Sequence, residues 1–345
     1  MKILTIVGAR PQFVKAAALN RLIQKTDGVS EVVVHTGQHY DPGMSDVFFE
    51  ELGIEPAGHY LDINGGNHGD MTGRMMVALE PVMLTEKPDW VLVYGDTNST
   101  LAAAICAVKL HIPIAHIEAG LRSFNRKMPE ELNRILTDHA SDVLLCPTHS
   151  AMNNLKNEGL SGKAVLSGDI MYDASLYALE VAKHKSTVLE DLGLSKESYA
   201  LATIHRAENT SDAETLGSVL DYLRAQAKGQ KLILPVHPRT SNAVKKFGLS
   251  FEGIDICAPV GPLDMAMLTA NCSEVFTDSG GLQKEAYFFR RPCTTLRDET
   301  EWTETIEKGW NRLWKQPVTP VKQQEISEYG DGRAAVDILK VLREH

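Results

Sequence analysis

Short apolar runs rich in β-branched residues recur along this chain. Nearly every one ends in glycine or charge and gives way at once to a helical pattern. In the first half the runs are Lys2–Val7, Glu31–Thr36, Trp90–Tyr94, Pro113–Ile117 and Asp142–Cys146, alternating with the helical patterns Pro11–Gln24, Met44–Leu52, Asp70–Glu86, Asn98–Leu110 and Glu130–Ala140. Runs that are apolar throughout suit strands covered on both faces, and intervening helices suit right-handed crossovers. The expected fold class is therefore α/β with parallel sheets, in which ligands bind beyond the carboxyl ends of the strands. A helix near His149–Asn157 and the run Val165–Asp169 close the first series, which places a domain junction near Gly168. Ser186–Glu197 is charged and reads as a surface connection, after which a second series runs through Tyr199–Ile204, Lys231–Val236, Ile254–Cys257, Glu274–Thr277 and Cys293–Leu296. The expected organisation is a first α/β domain over 1–168 and a second over 169–328. The last residues, 329–345, carry an amphipathic helix at Ala334–Leu342 that can cross back to the first domain.

Composition narrows the function classes. At 345 residues, with 43% hydrophobic and 23% charged residues, the chain has the make-up of a soluble globular protein large enough for two cores. A net charge of −10 argues against a nucleic-acid partner. No apolar run approaches the roughly 20 residues that span a bilayer, so no membrane partner is expected. The five cysteines include no C-x-x-C pair, and their odd number cannot complete a disulfide framework. Buried free thiols in a reducing, cytoplasmic compartment are expected.

Strand ends then supply candidate site residues. Glu274–Glu285 reads E-V-F-T-D-S-G-G-L-Q-K-E, a strand that turns through Ser279, Gly280 and Gly281 directly into a helix. Glycines there let backbone approach a ligand, and the helix N-terminus offers unpaired N–H groups to an anion, most naturally a phosphate. Glu285, further along that helix, can reach a hydroxyl-bearing group such as ribose. The alternative reading is an ordinary helix capped by Ser279. The first strand delivers Arg10 and, one turn into the next helix, Lys15; cations at a helix start oppose its dipole unless an anion sits there. Asp96 follows Trp90–Tyr94, Glu118 follows Pro113–Ile117, and Glu130 and Glu131 open a helix behind Pro129. Asp96 also reads as an N-cap, and the Glu130–Glu131 pair as a response to the helix dipole. In the second series His205 and Arg206 follow one strand, His237 another and Arg297 the last. His205 and His237 are expected beside the glycine turn. His116 and Glu118 do not stand at a metal-ligand spacing, and no cysteine cluster completes one. Neither a G-x-G-x-x-G turn after a strand nor a G-x-x-x-x-G-K-[ST] loop is present. No metal and no nicotinamide cofactor is expected. The layout fits a sugar nucleotide, with the nucleotide on the second domain and the sugar against acids of the first.

These residues fall in longer motifs: G-A-R-P-Q-F-V-K (Gly8–Lys15), Y-G-D-T-N-S-T (Tyr94–Thr100), H-I-E-A-G-L-R (His116–Arg122), M-P-E-E-L-N-R (Met128–Arg134), H-R-A-E-N-T (His205–Thr210), V-H-P-R-T (Val236–Thr240), T-D-S-G-G-L-Q-K-E (Thr277–Glu285) and Y-G-D-G (Tyr329–Gly332). Taken in order over essentially the whole chain, they resemble the non-hydrolysing UDP-N-acetylglucosamine 2-epimerase family. The resemblance implies a GT-B fold of two Rossmann-like domains facing across a cleft, and a cofactor-free, metal-independent inversion at carbon 2 of a UDP-linked N-acetyl sugar. That carbon has no neighbouring carbonyl to acidify its proton. The family eliminates UDP across carbons 1 and 2 to a glycal, then adds it back with the opposite configuration. By this resemblance Asp96, Glu118, Glu130 and His205 are the catalytic candidates. Arg10, Lys15, Arg134, Arg206, His237, Ser279, Gly280, Gly281, Glu285 and Arg297 would bind substrate, Glu285 at the ribose. Domain closure around the glycal and a homodimer formed through the first domain are further family expectations.

Two stretches depart from many relatives. Arg297-Asp298-Glu299-Thr300-Glu301-Trp302-Thr303-Glu304 stands where several relatives read R-D-x-T-E-R-P-E, and Gly37–Asp41 differs from the form in enzymes activated by a second UDP-N-acetylglucosamine. With the Asn64–Gly69 loop, the tryptophan form is similar to the branch acting on UDP-2,3-diacetamido-2,3-dideoxyglucuronate for O-antigen sugars; UDP-N-acetylglucosamine is the rival substrate. Other classes compatible with the layout are a GT-B glycosyltransferase, which needs an acceptor groove, a hydrolysing epimerase and a non-catalytic nucleotide-sugar sensor.

Overall fold

The computed structural model describes residues 1–38, 57–227, 229–317 and 321–345, so the expected helix Met44–Leu52 and the loop residues His39, Tyr40 and Asp41 lie outside the described residues. The chain divides into two units, Met1–Ala174 with Ser327–His345, and Ser175–Ile326. The division falls within a helix, a little beyond Gly168.

The first unit holds strands β1 (Lys2–Val7), β2 (Ser30–His35), β3 (His59–Tyr60), β4 (Trp90–Tyr94), β5 (Ile114–Ile117), β6 (Val143–Cys146) and β7 (Ala164–Leu166). They form one seven-stranded sheet in the order β3-β2-β1-β4-β5-β6-β7, and every pairing is parallel. Its helices are α1 (Arg10–Ile23), α2 (His68–Glu86), α3 (Asn98–Lys109), α4 (Pro129–Ala140), α5 (His149–Asn157) and the start of α6 (Ile170–Lys185). Strands β1 and β4 are wholly buried beyond Lys2, and a cluster including Leu4, Ile6, Val91, Val93, Met75, Leu79, Ala103 and Ala107 packs α2 and α3 against them. Burial of both faces of these strands is why their runs read as continuously apolar.

The second unit repeats the plan. Strands β8 (Tyr199–Thr203), β9 (Lys231–Pro235), β10 (Asp255–Cys257), β11 (Val275–Thr277), β12 (Cys293–Thr295) and β13 (Asn311–Leu313) form a six-stranded sheet ordered β10-β9-β8-β11-β12-β13. All its pairings are parallel too. Its helices are α7 (Val188–Asp191), α8 (Ala207–Thr210), α9 (Ala213–Ala227), α10 (Pro238–Phe247), α11 (Pro262–Asn271), α12 (Gly280–Phe288) and α13 (Thr303–Glu307). Two buried clusters line opposite faces of the sheet, one around Ala200, Ala202, Leu216, Leu220 and Phe276, the other around Tyr199, Leu201, Leu268 and Val275. The order in each sheet is the Rossmann arrangement, with the direction in which strands are added across the sheet reversing between β1 and β4 and again between β8 and β11. One expectation changes as a result. Strand β8 lies beside β11, but β9, which ends before His237, lies on the far side of β8.

The last helix, α14 (Ala334–Glu344), belongs to the first unit and packs on α1. Its N-cap position, Arg333, makes no side-chain cap. Asp173 of α6 substitutes, accepting the Ala334 N–H at 3.0 Å and the Ala335 N–H at 2.9 Å. Burial still prevails over these bonds and pushes the Asp173 carboxyl up to about 6. At the far end the Trp90 indole N–H donates to the Leu342 carbonyl at 3.2 Å.

The turn after β5 leaves no room for a side chain. Gly120 has φ +80°, and a Cβ there would lie 2.5 Å from the Ala151 carbonyl oxygen. Gly28 has φ +76° with nothing within 4 Å of its Cβ position. In urea denaturation, Gly120→Ala is expected to cost roughly 2–4 kcal/mol, from strain plus overlap, and Gly28→Ala only about 1 kcal/mol from strain. Equal losses would refute the close approach at Gly120.

Candidate active site

In the first unit the acids stand on the turns that follow β4 and β5. Gly95 takes φ +61°, and Asp96 comes next. Thr97, not Asp96, is the N-cap of α3, its hydroxyl accepting the Thr100 N–H at 3.2 Å. That leaves the Asp96 carboxylate to pair with Arg134. The side chain of Asp96 is 34% exposed. Burial of the carboxyl nevertheless raises its pKa above the ordinary carboxylate value; Arg134 and Lys15 oppose the rise, while Glu118 and Glu130 add to it. Asp96 is thus within electrostatic reach of both other candidate acids.

Glu118 is buried and left-handed, with φ +69°. A non-glycine residue in that region is costly and turns its side chain away from the strand direction. The carboxylate meets the Lys15 ammonium from the second turn of α1. The anion beside Lys15 in this structure is therefore the chain's own. Arg10 begins α1, but its side chain lies outside the described part. Glu130 is exposed and Glu131 is buried, so the acid pair splits in function. Glu131 accepts the backbone N–H groups of Ser123 at 2.8 Å and Phe124 at 2.9 Å, and Arg134 at 2.8 Å. Burial favours its neutral form, yet these partners outweigh it and hold the carboxyl below its usual value. Glu131 shapes the loop. Glu130 and Asp96 line one cavity of about 180 Å³ with Gln38, His68, Asn98 and Asn133. The starts of α1, α2, α3 and α4 all border it, so helix dipoles face inward.

Gln12 stitches this edge together. Its side-chain oxygen accepts the Gly8 N–H at 2.8 Å and the Ala9 N–H at 3.1 Å, while its amide donates to the Tyr94 carbonyl at 2.8 Å and the Thr100 hydroxyl at 2.9 Å. One side chain joins the turn after β1 to the turn after β4.

The second unit uses Asp278 for the same task. It is fully buried at the end of β11. It accepts the His205 N–H at 3.0 Å, the Arg206 N–H at 2.9 Å and the Asn209 side-chain amide at 3.1 Å, and pairs with His205 Nδ1 at 3.0 Å. Burial alone would raise its pKa, but His205 and these N–H groups hold it below the ordinary carboxylate value. With Nδ1 engaged, His205 presents Nε2 outward from a side chain 40% exposed. Arg206 is half-buried at the start of α8. His237 caps α10, accepting the Arg239 N–H on Nδ1 at 3.1 Å, and its ring stands 6.0 Å from that of His205. The two histidines do meet, although β9 is not next to β11.

Ser279 is the N-cap of α12, so capping is its role in this structure, and its hydroxyl hydrogen remains available to a ligand. Gly281 faces open space apart from the Ser279 hydroxyl, 3.9 Å from its Cβ position. At Gly280 a Cβ would fall 2.3 Å from Glu301 Oε1 and 3.5 Å from Trp302 Nε1. Glu301 is tied to Arg297 at 2.9 Å, and Arg297 is buried. Glu285 sits half-buried in the second turn of α12. Gln12 and Asp278 are not among the expected site residues. Asp278 alone carried a signal, an acid at the end of an apolar strand, the pattern that marked Glu118.

Comparison with known proteins places these motifs. A profile described as UDP-N-acetylglucosamine 2-epimerase matches residues 21–343. A Pseudomonas aeruginosa protein named UDP-2,3-diacetamido-2,3-dideoxy-D-glucuronate 2-epimerase is 53% identical over 318 residues, 91% of this chain and 88% of that protein. A Methanocaldococcus jannaschii UDP-N-acetylglucosamine 2-epimerase is 40% identical, with 99% of each chain covered. The solved structure of the Methanocaldococcus jannaschii UDP-GlcNAc 2-epimerase with UDP-GlcNAc and UDP matches at 38% identity and a TM-score of 0.88, covering 100% of both chains. The Neisseria meningitidis enzyme bound to UDP-GlcNAc matches at 28% identity and the same TM-score of 0.88, again over 100% of both chains. The two Rossmann-like units are those of the GT-B fold.

Because the folded pKa of Asp278 is depressed, its charge contributes stability at neutral pH. That contribution is lost as the pH falls from about 4 through the folded value. Asp278→Asn is expected to lower stability at pH 7 by roughly 2 kcal/mol, a figure discounted for the exposure of His205, and to flatten the acid limb of a stability–pH curve. An unchanged acid limb would remove Asp278 as the charged hub.

Proposed function

The chain belongs to the UDP-N-acetylglucosamine 2-epimerase family, and from that premise we propose that it inverts carbon 2 of UDP-2,3-diacetamido-2,3-dideoxy-D-glucuronate to give the manno epimer. The observation that carries the substrate is the 53% identity over 318 residues to the Pseudomonas aeruginosa protein of that name. A second reading, UDP-N-acetylglucosamine to UDP-N-acetylmannosamine, is favoured by the 40% identity to the Methanocaldococcus jannaschii enzyme.

A base takes the proton from carbon 2 while the carbon 1–oxygen bond breaks, its electron pair leaving with UDP. The carbon 1–carbon 2 double bond of the glycal results. UDP then adds back to carbon 1 as an acid returns a proton to the other face of carbon 2. The sequence is redox-neutral and needs no external electron acceptor. Asp96, Glu118 and Glu130 on the first unit, with Asp96 in electrostatic reach of the other two, supply base and acid. Lys15, beside Glu118, and Arg134, beside Asp96, hold those carboxylates and can exchange partners with an anionic substrate. On the second unit the start of α12, with Ser279, Gly280 and Gly281, receives the diphosphate, and Glu285 the ribose. His205 Nε2, with His237, Arg206 and Arg297, stabilises negative charge developing on the leaving group. Arg10 completes the substrate contacts.

Further readings follow for the protein in its cell. Five free cysteines, of which Cys106, Cys146, Cys272 and Cys293 are buried, support a reducing cytoplasmic compartment. A role in lipopolysaccharide or related polysaccharide synthesis follows from the uronate substrate. A homodimer through the first unit is supported by exposed Val77 and Leu84 on α2 and Leu132 and Leu136 on α4.

The test is incubation of the purified protein with each UDP-sugar in deuterated water, followed by NMR at carbon 2. Deuterium at carbon 2 and a second epimer are expected from the diacetamido-uronate. Turnover of UDP-N-acetylglucosamine alone would reassign the substrate. Exchange in neither, even with UDP-N-acetylglucosamine added as activator, would sink the epimerase reading and favour a transferase. Free UDP without epimer would indicate a hydrolysing enzyme. Asp96→Asn, Glu118→Gln and Glu130→Gln are each expected to slow exchange roughly 100- to 10,000-fold. A variant that keeps wild-type exchange has no acid–base role.

A further inference from the structure

Helix α4 turns a polar stripe inward and leaves two of its leucines exposed. Glu131, Asn133, Thr137 and Asp138 are buried, whereas Leu132 and Leu136 are 38% and 49% exposed. The buried stripe touches both acid-bearing turns. Asn133 donates to the Asp96 carbonyl at 2.9 Å, and Arg134 holds the Asp96 carboxylate. Asp138 reaches further. Its Oδ1 lies 2.7 Å from His116 Nδ1, and the opposite ring nitrogen, Nε2, lies 2.7 Å from the Gly95 carbonyl oxygen. A carbonyl can only accept, so Nε2 donates to it; a carboxylate held ionised accepts from Nδ1. The other oxygen, Oδ2, accepts the Gly120 N–H at 3.2 Å and meets Arg122 at 2.8 Å.

Gly95, Glu118 and Gly120 all take positive φ, at +61°, +69° and +80°. The glycines adopt it freely and so leave their turns loosely specified, whereas Glu118, which carries a side chain, persists there only because its surroundings over-determine it. The side chains of His116 and Asp138 are fully buried and that of Arg122 is 1% exposed, so each bond is made away from water, where an unpaired group is costly. The Asp138 carboxyl touches neither Asp96 nor Glu118. We propose that Asp138, acting through His116 on Gly95 and directly on Gly120, is a positioning residue that fixes the separation of the Asp96 and Glu118 carboxyls. The proposal rests on the epimerase reading above for its catalytic meaning.

Asp138→Asn keeps the shape but cannot accept from His116, Gly120 and Arg122 together. Glu158→Gln is the control, since Glu158 also holds Arg122, at 2.7 Å, but lies 27% exposed at the outer end of the network. Asp138→Asn is expected to lower kcat roughly 10- to 100-fold, the scale of an ångström-level misplacement, with KM changed less than about threefold. Hydrogen–deuterium exchange should rise in the peptides containing Gly95–Asp96 and Glu118–Gly120. Glu158→Gln should stay within about twofold of wild type in kcat, with exchange in those peptides unchanged. Wild-type kcat in Asp138→Asn would overturn the proposal. So would parallel losses in both variants with exchange raised evenly through the first unit. If Asp138→Asn does not fold, His116→Phe cuts only the Gly95 arm. Faster exchange at Gly95–Asp96 with Glu118–Gly120 unchanged, and a lowered kcat, would then support the role, and no local change would overturn it. Should the wild type place no deuterium at carbon 2, the functional reading fails while the exchange pattern still decides whether Asp138 pins the two turns.

Discussion

At the switch point of a Rossmann sheet the connections of two neighbouring strands leave in opposite directions, and a notch opens between their first turns. In both units of this chain one buried side chain bridges that notch. Gln12 reaches from the turn after β1 to the carbonyl that ends β4. Asp278 reaches from the end of β11 back to the backbone N–H groups after β8. The neutral amide suits the first unit, where the bridge must both accept and donate. The second bridge only accepts, and a carboxylate does that best when two backbone N–H groups and a histidine converge on it. Each bridge links two turns that carry candidate site residues, and it does so without needing any contact with substrate.

Charge is placed at these edges at some cost. Ions taken out of water lose several kcal/mol of solvation, and one partner rarely restores it. Asp138 is satisfied by His116, Arg122 and the Gly120 N–H, and Glu131 by Arg134 and two backbone N–H groups. Such fully satisfied carboxylates fall below their ordinary pKa. Asp96 is different. Burial raises its pKa, two neighbouring carboxylates add to the rise, and Arg134 and Lys15 oppose it without reversing it. Structural acids and a candidate acid–base group of the same unit are separated by how completely each is paired.

Much of the fold was legible in the chain because strands buried on both faces need long apolar runs, and β1, β4, β8 and β9 show them. Of the four edge strands, β7 and β10 were legible and β3 and β13 were not: His59–Tyr60 and Asn311–Leu313 carry no apolar run, and parallel pairing with β2 and β12 makes them strands. Site residues at strand ends were legible for the same reason the strands were, since a charge that ends an apolar run is conspicuous. Asp138, seven residues beyond Glu131 on the inner stripe of α4, was not. Leu132 and Leu136 suggest the usual apolar inner face there, and only the tertiary fold shows the polar stripe turned inward. Ser279 and His237 show the converse, for each caps a helix and faces a candidate site at once.

The left-handed backbone at Glu118 sets stability against use. Glycine takes that conformation freely, whereas a residue with a side chain gives up roughly 1–2 kcal/mol. Its partner Lys15 is buried with it, and replacing such a pair by apolar groups is often neutral or favourable. Directed evolution that rewards heat tolerance alone would therefore have an easy path through a glycine at 118 and an apolar residue at 15. It would yield a sturdier protein with an empty acid position. A campaign to harden this protein has to select for turnover in the same round.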